Sequence, residues 1–425
     1  MATDAPARAH DPLRLVLLGA VIGVPAALVG ALFLALVHVV EGWLWDDLPD
    51  ALGHSAPPWY LVLGLPVVGA LVVAAARRFL PGDGGHDPLK GMNVSPSPPS
   101  HAPGVALAAL GTLSFGAVLG PEAPVIALGS AVGVVLTGRA HLDEKATTVL
   151  ATAGSFAAIA ALFGGPLVAG VLLMETGLAL GAGLLPVMVP GFVAAAVGYV
   201  VFVGFGDWGG LNAPGLLVPD LALYDGIEPG DLALALVVGV VTALALVVVR
   251  ILARRIERLV PRLGVTALLL AGGLVVGLLA LVGDWWGEDP RDVLFSGQAA
   301  VPTVIAEGSV ATVAGLVLLK AIGYAVSLGC GFRGGPIFPA VFVGIGLASV
   351  AVVWFDASPT WAVAVGTAAG MAAESRLMVA PLLLSALLVG RAGIDAAPAA
   401  VLATTAAWLT VEALDRRAAT PPVNR

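Results

Sequence analysis

LGPEAPVIALGSAVG, residues 119–133, is the stretch on which the reading of the chain turns. One carboxylate, Glu122, stands between Pro121 and Pro124 in surroundings that are otherwise apolar or small. Gly120 supplies a turn. Proline suits a first helical turn because the N–H it lacks would be unpaired there anyway. Val125 to Gly133 then continues as an apolar helix. The pattern predicts a helix that begins inside a greasy segment with an ionisable group at its N-terminus. An ionisable residue at membrane depth is costly and marks function by default. A helix N-terminus offers unpaired N–H groups and the positive end of the helix dipole, which suits an anion.

The wider composition agrees with a membrane setting. The chain has 425 residues, 59% apolar and only 11% charged, against about 25% charged in soluble domains. Mean hydropathy is +1.00. Apolar runs recur from Leu13 to Ala413, and many approach the ~20 residues of a spanning helix. The expected class is all-α and polytopic, since the alternation of a membrane barrel is absent. The 55 glycines and 31 prolines fit close helix contacts and helix breaks. The net charge of −8 lies in loops and at the ends, and no nucleic-acid partner is expected. The single cysteine, Cys330, excludes an intrachain disulfide. The polar N-terminal segment does not read as a secretory signal.

In chain order, residues 1–12 form a polar leader and 13–206 a first membrane half. Residues 207–230 are expected to form a polar linker, 231–414 a second membrane half and 415–425 a short tail, with no soluble domain expected after it. The first half opens with one long helix, 13–45, ending in Trp43 and Trp45 at an interface, and a return span, 59–80. Helical stretches follow at 104–118, 121–137, 143–163, 166–180 and 184–205. The second half reads as 231–258, 264–283, 309–328, 336–355, 360–374, 377–391 and 397–414. Arg77 and Arg78, and the cluster Arg250, Arg254, Arg255, Arg258 and Arg262, mark cytoplasmic loops by the positive-inside rule. Both termini are then expected in the cytoplasm, in a multi-pass cell-membrane protein.

The halves repeat a pattern. GPEAP, 120–124, is followed by AGSFAAIAALFGGPLVAGVLLME, 153–175. GFRGGPIFP, 331–339, is followed by AAGMAAESRLMVAPLLLSALLVG, from 368 onward. Each half has a Gly/Pro break, a helix, a small-residue segment and then a Pro-initiated apolar helix. Broken helices in corresponding places of two repeats point to a transporter-like fold whose site lies where the breaks meet.

At these residues the chain resembles the CLC family of chloride channels and proton/chloride exchangers, over about 13–414. The family's G-[K/R]-E-G-P is matched by Gly120-Pro121-Glu122-Ala123-Pro124, and its G-x-x-G-G-x-F-x-P by Gly331 to Pro339. The resemblance implies an inverted-repeat bundle of tilted, broken helices, and homodimers with one ion pathway per subunit. It implies that Glu122 is the gate and proton acceptor. Gly120, Ala123, Gly335, Ile337, Phe338 and His86 would bind the anion. Asp87, Arg333, Glu175 and Thr176 would flank the pathway.

Departures from the family pattern bear on coupling. The first motif, G-S-G-I-P, is degraded to Gly84-Gly85-His86-Asp87-Pro88, and its serine has no counterpart beyond His86. Pro121 replaces the usual basic residue, and Pro336 removes a backbone donor. Thr176 stands where exchangers carry their internal proton-relay glutamate, and threonine does not titrate at accessible pH. Glu175 matches the first, structural, glutamate of that pair. No tyrosine follows Tyr324, so the family's C-terminal tyrosine has no match. Arg333 would be costly in lipid, and is expected to face water or a partner and to restore positive potential lost at Pro121.

No zinc-site spacing, P-loop or serine nucleophile elbow is present, so neither an enzyme nor a metal or cofactor site is expected. The expected function is transport of chloride or a similar small anion, gated by Glu122, channel-like or proton-coupled. The alternatives are a non-conducting scaffold of the same fold, suggested by the lost ligands, and transport of another anion such as fluoride.

Overall fold

The computed structural model describes residues 12–91, 95–140, 142–177, 184–205, 208–210 and 218–419. The expected leader lies almost wholly outside these residues, as do the end of the tail and part of the linker. Helices dominate. They are α1 (Pro12–Gly42), α2 (Trp59–Phe79), α3 (Ala102–Leu113), α4 (Glu122–Arg139), α5 (Glu144–Leu162), α6 (Pro166–Thr176) and α7 (Leu184–Val203). The second half supplies α8 (Pro229–Glu257), α9 (Val265–Trp285), α10 (Val310–Cys330), α11 (Ile337–Phe355), α12 (Pro359–Ser375), α13 (Val379–Val389) and α14 (Ala397–Ala419). Among the described residues, ten helical segments are long and apolar enough to cross a membrane. The protein is a multi-pass, all-α membrane protein.

The repeat read from sequence reappears as matched helix lengths. After the first break come helices of 18, 19 and 11 residues. After the second come helices of 19, 17 and 11 residues.

Two compact units are distinguished. One takes in the described residues of 1–32, 94–102 and 125–214. Its helices approach through small residues: a methyl added at Gly129 would strike the Gly154 carbonyl of α5, and one at Gly23 the Ala194 carbonyl of α7. Such contacts replace the hydrophobic drive that lipid removes. Ser155 Oγ adds a 3.1 Å bond to the Ile126 carbonyl.

The other unit takes in the described residues of 33–93, 103–124 and 215–425. Here Gly344 of α11 lies against the backbone of Gly366, and Gly370 of α12 against that of Ala340. Gly273 and Gly277 of α9 face the backbone of Pro66 and Leu63 in α2.

Several sequence expectations change. Trp45 points into the protein instead of outward: it is 1% exposed, donates to the Ser114 carbonyl at 3.0 Å and meets Phe295 edge-on at 5.3 Å. The stretch 104–118 is not helical to its end. Helix α3 stops at Leu113 because Ser114 is held by the Val37 carbonyl at 3.0 Å as well as by Trp45, and Gly116 turns at φ +94°. Helix α6 ends at Thr176, and 178–180 of the expected 166–180 helix lie outside the described residues. Residues 284–308, read as loop, contain the short helical turns Pro290–Val293 and Val301–Ala306.

Candidate functional site

Two interrupted segments meet within the second unit. The chain between α3 and α4 and the chain between α10 and α11 pair as an isolated antiparallel bridge. Gly120 N donates to the Gly335 carbonyl at 2.7 Å, and Gly335 N to the Gly120 carbonyl at 2.5 Å. Both loops are tied to neighbouring helices. Val118 N donates to Ser327 Oγ of α10 at 3.0 Å, and Arg333 N to Thr112 Oγ1 of α3 at 3.2 Å. Each break is thus held by the helix that precedes the other.

Glu122 begins α4 beside this bridge and is 1% exposed. Its Oε1 accepts from the Phe338 amide at 2.8 Å, and the amides of Ile337 and of Glu122 itself also act on the carboxylate. The first turn of α11 therefore presents its unpaired N–H groups to the acid, as a helix N-terminus does to any anion. Among the described residues Oε2 has no hydrogen-bond partner. A buried polar oxygen without a partner is rare and calls for a physical account. The seat is shaped by glycine: a side chain at either Gly120 or Gly335 would collide with the Glu122 carboxylate.

A second polar group lies at the far side of the α11 break. Arg333 is 5% exposed. It pairs with the Asp83 carboxylate, donates from Nε to the Asp83 carbonyl at 3.0 Å, and lies 3.8 Å from Asp87 Oδ1. Arg77 joins through Nε to Asp83 Oδ1 at 2.9 Å and through a terminal guanidinium nitrogen to the Gly331 carbonyl at 2.8 Å. Burial works against the Asp83 carboxylate, but hydrogen bonding from Arg77 and the charges of Arg333 and Arg77 outweigh it and hold it below the usual carboxylate range. Burial, with the neighbouring Arg77, weakens the hold of Arg333 on its proton, against the pull of Asp83 and Asp87.

Comparison with known proteins places this geometry. A family model described as "Voltage gated chloride channel" matches residues 87–411. The chain belongs to the CLC family. CLC members are transporters or channels, and the match spans both breaks. The chain is 30% identical over 351 residues to the "Putative ion-transport protein YfeO" of Escherichia coli O1:K1 / APEC, covering 80% of this chain and 79% of that protein. In fold it is similar to a slow cyanobacterial Cl−/H+ antiporter, with a TM-score of 0.76, 16% identity and coverage of 94% of this chain and 95% of the other. It is likewise similar to a CLC-type fluoride/proton antiporter, with a TM-score of 0.71, 20% identity and coverage of 95% and 96%.

Against this CLC frame, the expected site residues fall into groups. Glu122, Gly120, Gly335, Ile337 and Phe338 come together at the bridge, with half-buried Ala123 next to Glu122 in the chain. The amides of Gly120 and Gly335 are engaged with each other, so their contribution is shape rather than donation. His86 bonds to the Gly91 carbonyl at 2.7 Å within its own turn. Asp87 accepts from Leu89 N at 3.1 Å and faces Arg333. The Arg333 charge is met by Asp83 and Asp87 instead of standing open toward Glu122. In the other unit, half-buried Glu175 ends α6 together with Thr176, whose hydroxyl donates to the Leu172 and Leu173 carbonyls at 3.1 and 2.9 Å.

Sequence reading passed over three residues that the fold turns inward. Tyr324 of α10 is fully buried and donates to the Pro336 carbonyl at 2.9 Å. Arg250 of α8, read as part of a basic loop, turns inward to Glu374 of α12, from Nη2 to Oε1 at 2.8 Å. Glu374 is 4% exposed. It is the only charged residue of α12, and a lone acid in a small-residue membrane segment was the available signal.

Proposed function

We propose that this protein carries chloride or a similar small anion through the bridge region, with Glu122 as the protonatable gate. The observation that carries the reading is the seat itself. The Glu122 carboxylate lies on the amide of Phe338, where a free anion would otherwise bind. Oε2, without a partner, is an atom on which a proton can rest. A protonated carboxyl gives up its charge-assisted bond and yields the seat to an anion. Proton binding and anion binding are then linked through one group. Ile337 and Phe338 supply donors, and Gly120 and Gly335 supply room.

Pairs of helices closed through small residues leave other apolar faces for lipid or a second copy. The homodimer of the family is the expected assembly. Basic side chains at the ends of α2 and α8 favour cytoplasmic termini.

The test is anion flux from liposomes across a pH series. Wild-type flux should depend on pH. Glu122→Gln should conduct without that dependence. Unchanged dependence in Glu122→Gln would overturn the gate.

A further inference from the structure

The Glu374 carboxylate lies between an open cavity and the break that seats Glu122. The cavity, of about 770 Å³, is lined by Arg250 and Arg254 of α8, by Arg258 just past its end, by Lys90 and by Arg376. Its acids besides Glu374 are Glu257 and Asp415, and Asp415 is paired with Arg376 at 2.7 Å. Glu374 forms part of the wall although only 4% of it is exposed. Arg250 grips it from one side, with Nε to Oε1 at 3.2 Å and Nη2 to Oε1 at 2.8 Å.

Glu374 also interacts with the Tyr324 hydroxyl. That hydroxyl donates to the Pro336 carbonyl, in the residue just before α11. One helical step on, the Ile337 and Phe338 amides hold Glu122. Glu374 and Glu122 are also near enough for their charges to interact. The series runs from the cavity through Glu374 and Tyr324 to the Pro336 carbonyl, next in the chain to the amides that hold Glu122, and Tyr324 is itself near enough to Glu122 for their charges to interact.

We propose that Glu374 is a proton-binding station that passes protons between the arginine-lined cavity and Glu122 by way of Tyr324. The proposal rests on the reading of Glu122 as a protonatable gate. It also supplies what Thr176 does not: a titratable group linked to the seat. With Glu374 ionised, the single phenol proton has two acceptors, the Pro336 carbonyl and the Glu374 carboxylate. When Glu374 takes a proton from the cavity, it becomes the donor to the phenol oxygen. The phenol then releases its own proton toward Glu122 as it accepts the one from Glu374. Tyrosine ends unchanged, Glu374 returns to its carboxylate beside Arg250, and Glu122 gains one proton. Arg250 is a positioning residue that holds Glu374 in line between transfers.

The experiment records chloride and proton movement together in liposomes carrying a chloride gradient. Wild type should move protons against their gradient, driven by chloride. Glu374→Gln and Tyr324→Phe should keep chloride flux and lose that proton movement. Because Glu374→Gln leaves half-buried Arg250 without its counter-charge, the double variant Glu374→Gln/Arg250→Gln is run beside it and should behave the same way. A wild type that moves no protons, or variants that keep the wild-type ratio of protons to chloride, would overturn the relay. Folded variants that lose both fluxes together would also overturn it, since that is the signature of a structural role. None of these outcomes touches the gate, which stands or falls on whether Glu122→Gln abolishes the pH dependence of chloride flux.

Discussion

The Phe338 amide donates to Oε1 of Glu122 at 2.8 Å, across 216 positions of sequence. The bond joins the first turn of α11 to the first residue of α4. It is flanked by a reciprocal pair of backbone bonds between Gly120 and Gly335. Helix N-termini carry orphan donors, and a carboxylate from another helix satisfies them here. The arrangement is self-limiting: the acid fills the place it would regulate.

Gly335 sets the depth of that place. A methyl group there would overlap the Glu122 carboxylate, and overpacking a tight site costs about 1–3 kcal/mol. Gly335→Ala should relieve the clash by expelling the acid. Anion flux at high pH, where wild type is most closed, should rise, and the pH dependence should flatten. Flux assays in liposomes check this, and flux that keeps its wild-type pH profile would contradict it.

Asp83 neutralises two arginines that hold the Gly331–Arg333 turn. Asp83 is 59% exposed, so solvent screens these pairs and losing them costs about 1 kcal/mol or less. Asp83→Asn should therefore lower the thermal midpoint of the purified protein at neutral pH. The folded carboxyl titrates below its ordinary value of 3.8, so its contribution is present above that pH and is lost as pH falls through the folded value. Wild type should lose stability on acidification below about pH 4, and Asp83→Asn should be flatter there. Thermal melts in detergent across acid pH measure both effects.

Asp292 behaves in the opposite sense. Burial, with repulsion from Asp289, pushes its carboxyl up to about 6 despite the nearby Lys320. A raised carboxyl favours the folded state when protonated. Its contribution is full below its ordinary value of 3.8 and declines as pH rises through about 6. Infrared spectra should show protonated-carboxyl intensity lost between about pH 5 and 7, and Asp292→Asn should lack the part of it that Asp292 contributes. A band that persists unchanged in that variant would place the titration elsewhere.

Much of this was legible in the residues because bilayer physics is strict. Helix α4 was readable from Gly120, the two prolines and an apolar run, and the repeat from the matching breaks. Boundaries failed where tertiary contacts decide them. Helix α3 stops short because Trp45 and Val37 claim Ser114, contacts spanning 69 and 77 positions that no local pattern reveals. Arg250 shares its spacing with loop arginines, and only the placement of Glu374 shows that it turns inward. Tyr324 precedes the C-terminal region in which the family pattern places its tyrosine, yet α10 brings its hydroxyl to Pro336. The mutual engagement of the Gly120 and Gly335 amides was invisible for the same reason.

The central claim is that an anion and the Glu122 carboxylate compete for one seat. A crystal of Glu122→Gln grown in bromide tests it most directly, by anomalous scattering. The account predicts a bromide peak at hydrogen-bonding distance from the Phe338 amide, with the substituted amide side chain turned aside. An empty seat at saturating bromide, with halide bound only elsewhere, would contradict it.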